Sequence, residues 1–226
     1  MENSVSYILI LHVISGCLAL ISGAIAIFSA KGKTLHRKAG RVYFWAMTAV
    51  FVTALIVAGF RFNRFLFMIA FLSYYSVFAG VRALKLKKLL KNQSPAWFDW
   101  FAGLLNAGMN VLFLGFGMHI LLNQPSQLGP ALMYIGFGIG GWSISYANLK
   151  LFLVRPQKAY HWYLAHTGNM MGGYIATSTA FLATMVSRYN FPYPLLSFVL
   201  PSLIGIPLLL LWQHQKEQSF NKPKSV

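Results

Sequence analysis

Basic residues mark every second gap between the long apolar stretches of this chain, and that alternation constrains its fold more than any other feature. Of nineteen Lys and Arg residues, sixteen lie in or beside the first, third and fifth gaps and in the C-terminal tail. Only Arg61, Arg64 and Arg188 lie elsewhere. The apolar stretches cover residues 5–28, 40–60, 65–84, 97–122, 129–149, 163–186 and 195–213. Each approaches or exceeds the ~20 residues a helix needs to cross hydrocarbon. In lipid a helix satisfies its own backbone, so seven such stretches predict an all-α, polytopic membrane bundle of seven transmembrane helices, one domain over residues 1–226. Lys and Arg accumulate on the cytoplasmic side. The N-terminus is therefore expected outside and the C-terminus in the cytoplasm, and an odd number of spans agrees with that separation.

Composition excludes the soluble alternatives. Charged residues make up 10% of the chain, against about 25% in soluble domains. A net charge of +16, with only Glu2, Asp99 and Glu217 in opposition, would point to nucleic acid in a soluble protein. Beside bilayer-length stretches it points instead to an anionic inner leaflet, and no nucleic-acid partner is expected. Met-Glu-Asn is no basic leader, and the first stretch is too long for a cleaved signal, so a retained first helix is expected. A single cysteine, Cys17, rules out an internal disulfide and any cysteine-based metal site, and is expected to be a small packing residue.

The candidate chemistry lies in six histidines. Topology places His12 and His119 towards the outer face and His36, His161 and His166 towards the inner face, with His214 just beyond the last span. In the first span His12 is followed by Gly16 and Gly23; in the fourth, Gly108 and Gly115 precede His119. On antiparallel helices these two patterns would form a flat slot with an imidazole on each wall, as a b-type haem requires. Towards the inner face His36 is followed by Gly40, and His166 by Met170 and Gly173. Two such pairs, His12 with His119 and His36 with His166, would make a two-haem path across the bilayer, fed by a quinol or a small redox partner. This layout is similar to that of the cytochrome b561 class.

Other readings stay open. His36, His161, His166 and Asp99 all approach the inner boundary and could hold zinc for hydrolysis, on the plan of seven-helix membrane hydrolases. Against this, His161 and His166 are five residues apart and diverge by about 140° around a helix. Asp99, one of few acids, is also expected to pair with a nearby Lys or Arg. Arg37 and Arg41, one turn apart, could clamp an anion or a lipid headgroup. Asn106, Asn110 and Asn169 lie within spans and would bridge helices or line a path for a small solute.

Two blocks of the chain carry a family resemblance. The first runs from His12, Gly16, Ala19 and Gly23 through Lys31-Gly32, His36-Arg37 and Gly40-Arg41 to Tyr43. The second runs from His161-Trp162 to His166, Met170, Gly173, Tyr174, Ala176, Thr179, Ala180 and Phe181. Together they resemble a family of predicted bacterial multi-pass membrane proteins classed as a domain of unknown function. That resemblance implies location in the bacterial inner membrane and a fold of about seven helices. It implies no activity and gives no residue a role.

Overall fold

The computed structural model describes residues 2–190 and 194–221. Among them are seven long helices and no strand: α1 (Glu2–Phe28), α2 (Thr34–Phe60), α3 (Arg64–Ala83), α4 (Trp97–Asn123), α5 (Leu128–Leu153), α6 (His161–Tyr189) and α7 (Pro194–Asn221). Short 3-10 turns at Leu89–Lys91 and Pro125–Gln127 interrupt two connectors. Lys222 and Lys224, counted among the inner basic residues, lie outside the described residues.

Five helical segments are long and apolar enough to cross a membrane: Val5–Phe28, Thr34–Phe60, Arg64–Ala83, Trp97–Asn123 and Leu196–Asn221. Helices α5 and α6 are as long but are not among these five. Both bury polar side chains against neighbours: Ser145 and Asn148 on α5, Thr167, Asn169, Thr177 and Thr179 on α6. Polar residues that would be costly against lipid are thus spent between helices.

The expected boundaries shift at the start of α2 and, by more, at the end of α7. Helix α2 begins at Thr34, so His36 and Arg37 belong to its first turn rather than to a connector. At the other end of the chain, α7 runs on to Asn221 and makes Lys216 helical.

Helices pair as antiparallel neighbours: α1 with α2, α4 with α5, and α6 with α7, while α3 and α6 pack centrally between these hairpins. The α4–α5 seam shows how the sequence builds such a pair. Its buried positions on α4 are Asp99, Gly103, Asn106, Asn110, Phe113, Gly117 and Ile120, at alternating spacings of four and three. Buried positions on α5 follow the same rhythm from Ala131 to Asn148. Gly103 faces Leu149, Gly141 faces Asn110, Gly138 faces Leu114 and Gly117 faces Ile135, so partners descend on one helix as they ascend on the other. Small residues let the backbones close, and dispersion then supplies the attraction that lipid cannot.

The α3–α6 contact uses the same device: a Cβ on Gly80 would meet Met170, and one on Gly173 would meet Val77. On α1 two small residues are covered as well. Ala19 is fully buried, and a Cβ on Gly23 would collide with Tyr174 and crowd Tyr43. Cys17, by contrast, is exposed.

Candidate functional site

Four helix ends meet at one end of the bundle: the last turns of α1 and α3 and the first turns of α2 and α6. The last four carbonyls of any helix lack an internal partner. Two of these orphans, Ala26 O on α1 and Gly80 O on α3, are taken by histidines. His36 donates through Nδ1 to Ala26 O at 2.9 Å. His166 donates through Nδ1 to Gly80 O at 2.8 Å. A carbonyl only accepts, so Nδ1 carries the hydrogen in both rings and Nε2 of each neutral imidazole keeps its lone pair. The two ring centroids lie 6.4 Å apart, with planes inclined at 83°. The structure thus brings together the inner pair expected from the sequence. Lysines surround it. Lys31 donates to Ala26 O and Ile27 O, and burial lowers the pKa of its ammonium. Lys87 lies over the Trp162 ring, 4.2 Å from its centroid.

The outer pair is not assembled. α1 packs on α2 and α6, whereas α4 packs on α5 and α3, so the slot expected between α1 and α4 is absent. His12 bonds through Nδ1 to Thr53 Oγ1 of α2 at 2.9 Å. His119 is exposed and accepts from Asn123 one turn further along its own helix. Gly16, Gly108 and Gly115, expected to form the walls, have nothing within 4 Å of where a Cβ would stand. The glycines that do pack on α1 and α4 are Gly23, Gly103 and Gly117, and they face α6, α2 and α5.

Nor do His36, His161, His166 and Asp99 converge. No group of three or more His, Cys, Asp or Glu is placed to hold a metal among the described residues. His161 is buried with both nitrogens against carbonyls, Nδ1 at 3.0 Å from Lys158 O and Nε2 at 3.3 Å from Leu86 O. It pins the start of α6 to the segment after α3 and has no lone pair directed to a ligand. The Asp99 carboxylate is held in a fork by Arg82, at 2.6 and 2.9 Å, and caps α4 by accepting from Ala96 N–H. The expected pairing of Asp99 with a neighbouring cation is therefore with Arg82.

A buried polar seam runs inward from this ion pair. Asn148 and Asn169 exchange two hydrogen bonds, at 2.9 and 2.8 Å, between α5 and α6. Asn106 donates to Ser145 Oγ at 2.8 Å, while Asn110 bonds to the Asn106 carbonyl on its own helix. A cavity of about 20 Å³ at the head of the seam is lined by Tyr75, Arg82, Asp99, Asn148 and His161, among others. That is room for about one water and no more. Arg82, Tyr75 and Asn148 were not legible as members of this seam. The one available signal was the four-three spacing that aligns Asp99, Asn106 and Asn110 on a single face of α4.

Arg37 and Arg41 are exposed on the outer side of α2, and neither pairs with an acid among the described residues. At the far end of the chain, Lys158 and Glu217 form an ion pair that ties α7 to the α5–α6 connector, and this hydrogen bond raises the Lys158 pKa. These observations define a class: an all-helical multi-pass membrane protein with a carbonyl-anchored histidine pair at one end of its bundle. No family model, curated protein or solved structure matches the chain.

Proposed function

We propose that this protein is a seven-span membrane protein, N-terminus outside and C-terminus cytoplasmic, that moves electrons through a metal held by His36 and His166 at the inner boundary. The observation that carries the reading is the matched anchoring of the two rings. Histidines that ligate metals almost always donate their second ring nitrogen to a carbonyl or carboxylate, which fixes the tautomer and aims the free nitrogen. Two imidazoles on one ion, each with a metal–nitrogen bond of about 2 Å, have centroids about 6 Å apart when they lie on opposite sides. The observed 6.4 Å suits that arrangement.

The haem expected from the sequence asks more of the site than a bare ion does. The donors suit axial ligation of a b-type haem iron. A porphyrin would also need a slot, and Tyr43, Met170 and Tyr174 pack the core side of the pair against Met47 and Val77. The site therefore fits an ion better than a macrocycle, and a two-haem path loses support with the outer pair unassembled. Hydrolysis by zinc is supported less. Asp99 is committed to Arg82, and Glu217 to Lys158, so neither stands free to act as a base. Transport of a small solute has the polar seam in its favour, but the cavity at the head of that seam is water-sized. Arg37 and Arg41 suit anionic headgroups of the inner leaflet, whose phosphates would meet two unpaired guanidiniums.

Purified protein, expressed with haem and transition metals available, tests the reading by visible spectroscopy and elemental analysis. One equivalent of a redox metal per chain is expected, with loss in both His36→Ala and His166→Ala and retention in His119→Ala. A colourless, metal-free wild-type protein would overturn it.

A further inference from the structure

The pair has a neighbour that alters which ion it would select. Met170 follows His166 by one turn on the same face of α6. Its Cγ and Sδ lie 2.8 Å from where a Cβ on Gly80 would stand, against the same residue whose carbonyl holds His166. A helical side chain covers the turn that precedes its own Cα. The Met170 thioether therefore lies over the turn that carries His166. Gly80 makes this possible, because any side chain there would displace Met170.

We propose that His36, His166 and Met170 together bind Cu(I). The proposal rests on the metal-pair reading above and names its ion. Two neutral imidazoles and a thioether make a soft, uncharged donor set. Thioethers select Cu(I), whereas zinc sites are completed by thiolate, carboxylate or further imidazole. Charge argues in the same direction. The Lys31 ammonium donates to the same Ala26 carbonyl that anchors His36, and no group of three or more His, Cys, Asp or Glu among the described residues supplies an acid there. A monovalent ion meets half the repulsion there that a divalent ion would meet at the same distance.

The test uses the full chain in detergent, titrated with Cu(I) in competition with bicinchoninate, and separately with Zn(II) and with hemin. One equivalent of Cu(I) is expected, held more tightly than Zn(II). X-ray absorption of the loaded protein should contain a copper–sulfur shell. Met170→Leu, which keeps the packing volume, should lose that shell and weaken Cu(I) roughly tenfold with an unchanged melting temperature. His36→Gln should weaken it further, and it removes a ligand without touching the Gly80 contact. Preference for Zn(II) or hemin bound across the histidines would overturn the copper assignment, and Cu(I) affinity unaltered in Met170→Leu would overturn the three-ligand site, each while leaving a metal at the pair. Absence of any metal or hemin binding would overturn both.

Discussion

The Arg82–Asp99 pair shows what one residue can decide in this bundle. The Asp99 side chain is 1% exposed and that of Arg82 is 23% exposed, so the acid is wholly withdrawn from water while the guanidinium is only partly so. Removing one partner of such a pair leaves the other charge uncompensated, at a typical cost of about 3 kcal/mol. Asp99→Asn should therefore lower the melting temperature markedly, and Arg82→Gln combined with Asp99→Asn should recover part of the loss. Equal melting of wild type and the single variant would show that the pair contributes nothing. At this scale the sequence was partly legible. Scarcity of acids predicted that Asp99 must be paired, because an unpaired carboxylate cannot be buried cheaply. It did not name Arg82, since the partner lies across a connector whose path depends on the turn at Leu89–Lys91. His36 and His166, grouped by expected depth in the sequence, lie with ring centroids 6.4 Å apart. Their anchoring on Ala26 O and Gly80 O was not foreseeable, because backbone carbonyls leave no trace in side-chain chemistry.

Between helices, glycine positions separate into two kinds that composition alone cannot tell apart. On α5, a Cβ at Gly141 would stand 2.0 Å from Asn110 Oδ1, whereas one at Gly136 would meet nothing within 4 Å. Gly141→Ala should force α4 and α5 apart and cost about 1–3 kcal/mol. Gly136→Ala should be neutral or slightly stabilising, since alanine restricts the unfolded chain and favours helix. Thermal melts of the two variants side by side distinguish these outcomes, and equal effects would contradict the seam as described. The same distinction explains why the outer haem slot failed. Gly16, Gly108 and Gly115 matched the spacing of a cofactor wall, but spacing reports only which face a residue occupies. It does not report which helix that face meets. The glycines actually consumed by packing lie on adjoining faces, and they direct α1 to α2 and α6, and α4 to α5.

For the molecule as a whole, the number and type of elements were legible because bilayer thickness and backbone satisfaction leave few alternatives. The helix ends were less so: α2 starts six residues before its apolar stretch, and hydropathy alone could not extend the helix over the polar residues Thr34–Lys38. Neighbour relations, which decide the site, were not legible at all. The functional account depends on one statement about the whole chain: the end where α1 and α3 finish and α2 and α6 begin faces the cytoplasm. Reporters of compartment fused separately to the two termini test that statement most directly. The account predicts an N-terminal reporter active only outside and a C-terminal reporter active only in the cytoplasm. Both reporters in one compartment, or the reverse assignment, would contradict it and move the His36–His166 pair away from the inner boundary.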